Sequence, residues 1–355
     1  MNAKILLAPF TPIYSAIIGA RFVLYRKGIF QSHDLGVPVV SVGNLTVGGT
    51  GKTPLVAWIA RELAEKGHRV CVLTRGYKRS NPNERVLVSD GDEILADAKQ
   101  SGDEAFELAQ KLKGFAAVIA DKNRVEAGNW ARKELGITAF VLDDAFQHFK
   151  LKRDLDIVTV DATNPFGNGK PLPAGTLRES PKSLRRADAV VITRSDLASD
   201  IANLKSDIAK FNSNCPVLIS NTKTTELKPL TEFGEFRRSI AQSSDKAQST
   251  KHKAQIFAFC ALGNPKGFFE HLKRDGFEIK GAKAFPDHHK YTQTDISEIE
   301  RAARRSGADI LLTTAKDAVK LKDLNLELSC FVVEIEIEFE DAAPLKKMLA
   351  TMKKR

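Results

Sequence analysis

A glycine-rich turn ends with Gly51, Lys52 and Thr53, residue types that are suited to holding phosphate groups. Backbone N–H groups in such a turn curl round an anion, and a following helix adds partial positive charge at its N-terminus. The lysine would reach the β- and γ-phosphates of a nucleotide, and the threonine hydroxyl would ligate Mg²⁺. The predicted nucleotide-binding residues are Thr46, Val47, Gly48, Gly49, Thr50, Gly51, Lys52 and Thr53.

The match to the usual phosphate-binding pattern G-x-x-x-x-G-K-[ST] is incomplete, because Thr46 stands where glycine is usual. Gly48, Gly49 and Gly51 still keep the turn flexible. An apolar, β-branched run at residues 39–42 precedes the turn, and apolar residues at helical spacing follow it. This order of strand, turn and helix favours a variant P-loop over a chance glycine-rich hairpin.

Two adjacent carboxylates, Asp143 and Asp144, follow an apolar run at residues 139–142. Hard oxygen ligands hold the Mg²⁺ that bridges nucleotide phosphates, so we expect this strand end to help bind the metal. A pair of solvated turn aspartates is the alternative. Gln147 and His148 follow within reach of the same strand end, although a packed or surface histidine accounts for His148 equally well.

Two further sites could take a proton from an acceptor hydroxyl. Asp103 opens a predicted helix at residues 103–112 and is a candidate general base, although a carboxylate there also stabilises a helix N-terminus. His288 and His289 follow a proline turn, and a histidine paired with a carboxylate from the other lobe would form a base dyad. No cysteine or second histidine pair accompanies them, so a zinc site is not expected.

The segment 164–179 is long and rich in glycine and proline, which indicates either a functional loop or a rigid connection. Lys182, Arg185 and Arg186 follow it. A basic loop near the P-loop would suit an anionic acceptor.

Apolar strands alternate with helical patterns and predict a mostly parallel sheet flanked by helices on both faces. In the first half, strands are expected at 39–42, 69–77, 85–88, 115–120, 139–142, 156–161 and 187–193, and helices at 103–112 and 124–135. In the second half, strands are expected at 217–220, 256–261, 310–313 and 331–339. Ligands gather at the carboxyl ends of parallel strands, where we expect Thr53, Arg75, Asp143, Asp144 and Asp161.

The composition is that of an ordinary globular protein, with 43% hydrophobic and 28% charged residues over 355 positions. We expect an N-terminal helix within residues 1–30, a P-loop lobe at 31–215 and a smaller α/β lobe at 216–355 that contributes to the active site. Residues 237–254 are rich in Ser, Gln and Lys and are expected to form an exposed loop or lobe connection.

The net charge of +10 implies an anionic partner, namely nucleic acid, an acidic membrane surface or a phosphorylated substrate. Aromatic residues make up only 7% of the chain and are not interleaved with the basic ones, so nucleic acid is not expected. The four cysteines are scattered without C-x-x-C spacing. They indicate small core residues in a reducing compartment.

Residues 5–20 carry no charge, and from Pro12 a helix would be apolar nearly all round. The helix meets Arg21 too soon to span a bilayer, which needs ~20 apolar residues. Basic residues follow the apolar run rather than precede it, which disfavours a signal peptide. The helix either packs inside the protein or lies in the membrane interface, and its aromatic and basic flank favours the interface.

Together these segments resemble the tetraacyldisaccharide 4′-kinase family of the lipid A pathway. The stretches that carry the resemblance run in family order as far as residue 321, and they are SVGNLTVGGTGKTP, LTRGY, SGDE, VLDDAFQH, FGNGKPLPAGTLRE, ADAVVITRSD, FCALGNPKGFF, FPDHHKY and LLTTAKDAVKL. The resemblance implies a P-loop NTPase-like α/β fold with a second lobe and an N-terminal amphipathic helix. It implies transfer of the γ-phosphoryl group of ATP to the 4′-hydroxyl of an acylated disaccharide 1-phosphate lipid, forming lipid IVA.

The resemblance also implies roles for individual residues. Residues 46–53 hold ATP, with Lys52 acting in catalysis, and Thr53, Asp143 and Asp144 are the implied Mg²⁺ ligands. Asp103 is the implied base, assisted by His288, which is chosen over His289 on the D-H-x-x-Y spacing. The residues implied to line the acceptor side are Arg75, Tyr77, Gln147, His148, Arg178 and Glu179.

The implied location is the cytoplasmic face of the bacterial inner membrane, with the protein peripheral or monotopic and without an obligate protein partner. Two other functions fit the P-loop. One is a kinase for a soluble sugar or nucleoside, in which the N-terminal helix is a core element. The other is a switch or transport ATPase, in which water is the acceptor. Separate acceptor-side residues, Asp103 and His288, favour a kinase over a switch.

Overall fold

The computed structural model describes residues 8–232 and 255–352. The chain divides into two compact units, the first formed by Met1–Asn221 with Ile337–Arg355 and the second by Thr222–Glu336. The segment 237–254, for which an exposed loop is predicted, lies outside the described residues.

Strands and helices alternate through most of the described chain. The strands are β1 (Val39–Asn44), β2 (Val70–Thr74), β3 (Val86–Ser89), β4 (Ala116–Ala120), β5 (Ala139–Asp143), β6 (Leu155–Asp161), β7 (Ala189–Thr193), β8 (Val217–Pro229), β9 (Ile256–Cys260), β10 (Ile279–Ala284), β11 (Ile310–Thr314) and β12 (Cys330–Phe339). The α-helices are α1 (Thr11–Arg26), α2 (Lys52–Glu65), α3 (Ala98–Ser101), α4 (Asp103–Lys111), α5 (Arg124–Leu135), α6 (Ile201–Phe211), α7 (Pro265–Arg274), α8 (Gln293–Ser306), α9 (Ala315–Ala318) and α10 (Ala343–Thr351).

In the first unit the strand order is β8-β7-β6-β1-β5-β2-β4-β3. The neighbouring strands are parallel except at the edge, where β3 runs antiparallel to β4. The register sets Val42 of β1 opposite Asp143 of β5, and Asn44 opposite Thr159 of β6. The carboxyl ends of these strands therefore meet at one edge, and the predicted mostly parallel sheet is confirmed.

Alternation along the strands divides the core of this unit between two faces of the sheet. Val40 and Val42 pack in one apolar cluster with Leu55 of α2, and that cluster also contains residues of α4 and α10. Val39 packs in a second cluster with Ala127 of α5, and a third contains Val158 of β6 and Ile208 of α6. Because both faces are covered, the central strands are buried along their whole length and appear in the sequence as continuous apolar runs.

In the second unit the parallel strands have the order β10-β9-β11-β12. Its core includes Phe259 of β9, Ile299 of α8 and Leu311 of β11. Strand β10 was not expected from the sequence. Its residues alternate between half-buried and exposed positions and include two lysines and a glycine, so the strand has no apolar run to mark it.

The unit boundaries differ from the predicted lobes at the C-terminus. Residues 337–355 were assigned to the second lobe from the sequence, whereas the structure groups them with the first unit. The reason is packing, because Leu345 and Leu349 of α10 are buried in the apolar cluster that α2 also enters. Trp58 of α2 also packs against Phe339, with 4.9 Å between ring centroids.

Helix α1 lies on the surface of the first unit, and none of its residues is fully buried. One side packs through Phe22 and Tyr25 on Phe149, with ring centroids 5.5 and 5.8 Å apart. The other side leaves Ile13 57% and Ile17 62% exposed. Across residues 8–232 and 255–352, the helices are too short or too polar to cross a bilayer.

Candidate active site

The P-loop joins β1 to α2 and requires glycine at particular points. Gly48 and Gly51 have φ angles of +116° and +74°, which place both residues in the left-handed region. A Cβ at Gly51 would also lie 3.3 Å from the Thr193 side chain. Helix α2 begins at Lys52, so Lys52 and Thr53 stand at its N-terminus, where anions are favoured.

Side chains at β6 and β7 form hydrogen bonds with the P-loop. The Thr50 hydroxyl shares a 2.8 Å hydrogen bond with the Thr159 hydroxyl at β6, and the Thr193 hydroxyl at β7 donates to the Thr50 carbonyl at 3.0 Å. Arg194 donates to the Gly49 carbonyl at 3.1 Å and forms an ion pair with Asp161. The backbone of the loop is therefore fixed by side chains of two adjacent strands.

Lys52 and Arg178 both bind Asp144, the residue that follows β5. Lys52 Nζ lies 3.3 Å from Asp144 Oδ1, and Arg178 Nη1 lies 2.8 Å from each carboxylate oxygen. Burial alone would raise the pKa of Asp144, but the positive charges of Lys52 and Arg178 outweigh burial and lower this pKa to about 2. Asp144 therefore carries a full negative charge at neutral pH.

Asp143 has the opposite electrostatic environment. Its side chain is buried and accepts a hydrogen bond of 2.9 Å from the Thr74 hydroxyl at the end of β2. Burial, followed by the negative charges of Glu104 and Asp144, raises the pKa of Asp143 to about 6. A cation next to Asp143 would favour the ionised carboxylate and so lower this pKa.

The donor set at this edge fits Mg²⁺. Within the described parts of the chain, no three acidic, histidine or cysteine groups lie close enough to enclose a metal ion by themselves. Magnesium at nucleotide sites is held by one or two carboxylates together with substrate phosphates, so a complete protein cage is not needed. Asp143 and Asp144 would supply the hard oxygen donors, and Thr53 would supply the hydroxyl of the P-loop.

Arg124 belongs to this edge and was missed from the sequence. Its buried guanidinium donates to the Asp143 carbonyl at 2.5 Å and to the Asp144 carbonyl at 3.5 Å. Burial lowers the pKa of Arg124, and Asp143 and Asp144 oppose that effect. The available signal was its position as the first residue of α5, where a basic side chain opposes the helix dipole and needs another reason to be present.

Two glycine turns bring Asp103 to the same edge. Gly76 and Gly102 have φ angles of +66° and +91°, and their backbones pack on each other's turns. A Cβ on Gly102 would lie 2.6 Å from the Tyr77 carbonyl, and one on Gly76 would lie 2.7 Å from the Ser101 carbonyl. Helix α4 thus begins with Asp103 beside the turn that follows β2.

Arg75, Tyr77 and Glu104 lie next to these turns. Arg75 lies over the ring of Tyr77 at 5.1 Å, and Tyr77 is 44% exposed. Glu104, the residue after Asp103, acts electrostatically on Asp143. Asp103, Tyr77 and Arg75 therefore share the strand edge that carries Asp143.

Gln147 and His148 follow β5 in a tight turn. The Gln147 side-chain amide donates to the Asn44 carbonyl at 3.1 Å, which ties this turn to the end of β1. Burial, followed by the positive charges of Arg124 and Arg153, lowers the pKa of His148 to about 3. His148 is therefore a neutral imidazole at physiological pH in the ligand-free protein.

Arg178 and Glu179 are adjacent in sequence but point to different partners. Arg178 binds Asp144, as described above. Glu179 is only 6% exposed and accepts hydrogen bonds of 2.8 and 3.1 Å from Arg186, with a third of 2.8 Å from the Ser183 hydroxyl. The carboxylate is thus held in a buried ion pair, a structural role that its sequence position did not indicate.

His288 and His289 lie in the second unit and differ in environment. His289 Nε2 lies 3.1 Å from Asp295 Oδ2, and its ring stacks on Phe285 at 4.6 Å. His288 has a left-handed backbone with φ of +62° and lies 3.5 Å from Lys316 Nζ. His289 thus contacts residues that pack against or cap helix α8, whereas His288 lies near Lys316 and 3.8 Å from Asp287; the choice of His288 as the functional histidine stays a prediction.

The structure thus brings Lys52, Asp143, Asp144 and Arg178 into one connected set in the first unit, with Asp103 at the same edge. The arrangement combines an anion-binding helix N-terminus, two carboxylates whose pKa values are shifted in opposite directions and a separate candidate base. Such a set can hold a nucleotide's phosphates with a metal ion and deprotonate an acceptor hydroxyl.

Comparison with known proteins agrees with this arrangement. The family model LpxK, described as tetraacyldisaccharide-1-P 4′-kinase, matches residues 3–354. A tetraacyldisaccharide 4′-kinase of Halothermothrix orenii is 37% identical over 346 residues, which covers 95% of this chain and 89% of the relative. One from Pelobacter propionicus is 39% identical over 349 residues, covering 98% and 92%.

A solved structure is also similar. LpxK from Aquifex aeolicus, crystallised in complex with ATP, is 32% identical, with a TM-score of 0.74 and 98% of each chain covered. The family model matches nearly the whole chain, and the two relatives are well above 30% identical to it. The chain belongs to the tetraacyldisaccharide-1-phosphate 4′-kinase family.

Proposed function

We propose that this chain transfers the γ-phosphoryl group of ATP to the 4′-hydroxyl of a tetraacylated disaccharide 1-phosphate, forming lipid IVA. The observation that carries the proposal is the contact between the P-loop lysine and a strand-end carboxylate, with Lys52 Nζ 3.3 Å from Asp144. Family membership supports the acceptor, and the Aquifex relative crystallised with ATP supports the donor. No observation favours a soluble sugar or nucleoside as the acceptor.

In this proposal the P-loop backbone and Lys52 bind the phosphates of ATP. Thr53, Asp143 and Asp144 would hold Mg²⁺, which would neutralise charge on the transferring phosphoryl group. Arg178 keeps Asp144 in place when Lys52 turns from the carboxylate to the nucleotide, because Arg178 contacts both carboxylate oxygens. Arg124 fixes the backbone on which both aspartates stand.

Asp103 is the proposed general base. The 4′-hydroxyl oxygen bonds to the γ-phosphorus while its proton passes to the Asp103 carboxylate, and the bond to the β,γ-bridging oxygen breaks to release ADP. The position of Asp103 at the first residue of α4, beside Arg75 and Tyr77, supports this role. Assistance by His288 remains a prediction.

The remaining proposed acceptor contacts are supported to different degrees. Arg75 and Tyr77 are exposed at the strand edge and could reach a sugar phosphate head group. Gln147 and neutral His148 offer hydrogen-bonding groups beside β1. Glu179 would act on the acceptor only indirectly, because its carboxylate is engaged by Arg186.

We further propose that the protein works at the cytoplasmic face of the inner membrane, with α1 in the membrane interface. The side of α1 that does not contact the protein exposes Ile13 and Ile17, and Phe10, Ile29 and Phe30 near its ends are also exposed. Exposed apolar side chains with neighbouring basic and aromatic residues are typical of interfacial helices. The net charge of +10 supports attraction to anionic lipid.

A transfer assay tests the acceptor. Purified protein is incubated with Mg²⁺, γ-labelled ATP and the tetraacylated disaccharide 1-phosphate, and a parallel acceptor has hydrogen in place of the 4′-hydroxyl. Label should enter only the first acceptor. Lys52→Met should abolish the transfer, whereas Lys133→Met, which removes a highly exposed lysine, should not. Labelling of soluble sugars or nucleosides instead of the lipid would overturn the acceptor assignment, and ATP turnover that ignores the lipid would indicate a switch ATPase.

Sedimentation with vesicles tests the membrane proposal. Vesicles with anionic lipid should bind the wild-type protein and bind the double variant Ile13→Ser/Ile17→Ser much less. The matched control is Leu95→Ser, which removes an apolar side chain that is 49% exposed elsewhere on the first unit. Equal loss of binding in the control, or undiminished binding in the double variant, would refute interfacial docking through α1.

A further inference from the structure

Helix α1 is connected to the active site by a route that neither family membership nor the assigned site residues explain. The connection runs through the backbone of Arg178. The Tyr14 hydroxyl in α1 donates to the Arg178 carbonyl at 3.1 Å, and the Arg178 guanidinium holds Asp144. Arg178 thus contacts α1 through its main chain and Asp144 through its side chain.

The segment that carries Arg178 also pairs with the P-loop. The Arg178 N–H donates to the Leu45 carbonyl at 2.6 Å, and the Val47 N–H donates to the Thr176 carbonyl at 2.8 Å. Thr46 and Leu177 form an antiparallel bridge between these bonds. A shift of residues 176–178 would therefore move the start of the P-loop as well as the Asp144 ion pair.

Further contacts seat α1 against the same segment. The Ala174 N–H donates to the Thr11 hydroxyl at 3.2 Å. At the other end of the helix, the Arg186 guanidinium lies over three aromatic rings, those of Phe22, Phe146 and Phe149, at 4.8, 4.4 and 5.2 Å.

The buried ion pair between Arg186 and Glu179 completes the route. Glu179 directly follows Arg178, so the arginine that packs on Phe22 of α1 also anchors the chain next to Arg178. From its position in the sequence, Arg186 is expected to belong to a basic loop that suits an anionic acceptor. In the structure, the guanidinium of Arg186 instead forms an ion pair with Glu179, and its planar face lies over aromatic rings. This arrangement favours arginine over lysine.

We propose that Tyr14 is a positioning residue for phosphoryl transfer. Its hydrogen bond to the Arg178 carbonyl makes the ion pair between Arg178 and Asp144 depend on the packing of α1 against the rest of the first unit. The inference rests on the proposed function and deepens it. A kinase whose acceptor is a lipid gains from such coupling, since the Asp144 site is then complete only when the helix that faces the lipid surface is docked on the protein.

Tyr14→Phe tests the coupling, because it removes one hydroxyl and retains the ring. With the lipid acceptor and saturating ATP, kcat should fall about threefold to tenfold, the effect of losing one hydrogen bond. The KM for ATP and vesicle binding should not change. Tyr25→Phe is the matched control, since Tyr25 also lies on α1 and its ring packs on Phe149, while among residues 8–232 and 255–352 its hydroxyl makes no hydrogen bond.

A double-variant cycle separates positioning from a purely structural role. In an Arg178→Lys background, Tyr14→Phe should change kcat by less than about twofold, because the group that it positions is already altered. An undiminished effect in that background, an equal effect of Tyr25→Phe, or a Tyr14→Phe variant with wild-type kcat would each refute the coupling. Failure of the wild-type protein to label the lipid would instead refute the proposed function itself.

Discussion

Replacement of Asp143 by asparagine should stabilise the ligand-free protein near pH 7.5 while it abolishes catalysis. The carboxylate is buried near Glu104 and Asp144, and this environment raises its pKa from 3.8 to about 6. Asparagine has the same shape and can still accept the hydrogen bond from Thr74. The substitution therefore removes an unfavourable buried charge without removing a contact.

The size of the effect follows from linkage between proton binding and folding. A carboxyl whose folded-state pKa is raised stabilises the fold below its unfolded-state pKa, and that stability is lost as the pH rises through the folded-state value. A rise from 3.8 to about 6 corresponds to about 3 kcal/mol at pH 7.5, since each pKa unit is worth ~1.4 kcal/mol. The gain from Asp143→Asn should shrink as the pH falls from 6 towards 4.

Asp144→Asn provides the matched variant with the opposite sign. Lys52 and Arg178 lower the pKa of Asp144 from 3.8 to about 2, so its charge stabilises the fold above pH 4 by about 2 kcal/mol. That contribution is lost as the pH falls through the lowered value. Two neighbouring isosteric substitutions should therefore change stability in opposite directions at neutral pH.

Thermal unfolding of the ligand-free protein between pH 4.5 and 7.5 measures both effects. For a unit of this size, a change of 1 kcal/mol moves the midpoint by roughly 2–4 °C. At pH 7.5 the midpoint should rise by several degrees for Asp143→Asn and fall by several degrees for Asp144→Asn. Saturating Mg²⁺ and ATP should raise the thermal midpoint of the wild-type protein by more than they raise that of Asp143→Asn. Equal signs for the two variants, or a gain that does not depend on pH, would refute the electrostatic reasoning.

Three further outcomes are expected. Asp103→Ala should lower kcat by about 10²- to 10⁴-fold while the thermal midpoint falls by no more than roughly 2–4 °C, the effect of losing a carboxylate from a helix N-terminus, and near-normal kcat across the pH range would rule out its role as the base. His288→Asn should lower kcat, whereas His289→Asn should mainly lower stability through its lost contacts with Asp295 and Phe285; the reverse result would exchange the two histidines. Arg124→Lys should lower both kcat and stability, because lysine cannot donate to two carbonyls from one planar group, and an unaffected kcat would show that the strand-end backbone does not need it.

Much of the fold was predictable because its signals are local. The P-loop strand, turn and helix are consecutive in sequence, and so are the apolar runs of the central strands, which are buried on both faces. The predicted helix at residues 124–135 coincides with α5, and the strands predicted around Asp143 and Asp161 end where expected. Strand β10 was missed because a half-exposed edge strand has no apolar run.

Long-range packing decided what the sequence could not. That residues 337–355 belong to the first unit depends on Leu345 and Leu349, which reach a core built by residues far earlier in the chain. Arg124 joins the site only because α5 brings its guanidinium to the carbonyls at the end of β5. Glu179 and Arg186 were candidate substrate contacts until their mutual ion pair and aromatic surroundings could be seen.

The sequence by itself determined the phosphate-binding turn, the order of strands and helices and the carboxylates at their ends, because hydrophobic periodicity and turn chemistry are properties of neighbouring residues. Only the tertiary structure decided the proton affinities of the two carboxylates that follow β5. Asp143 and Asp144 are adjacent and chemically identical, yet their pKa values move in opposite directions. Burial and charge act through space, and the groups that act on these two carboxylates come from distant parts of the chain.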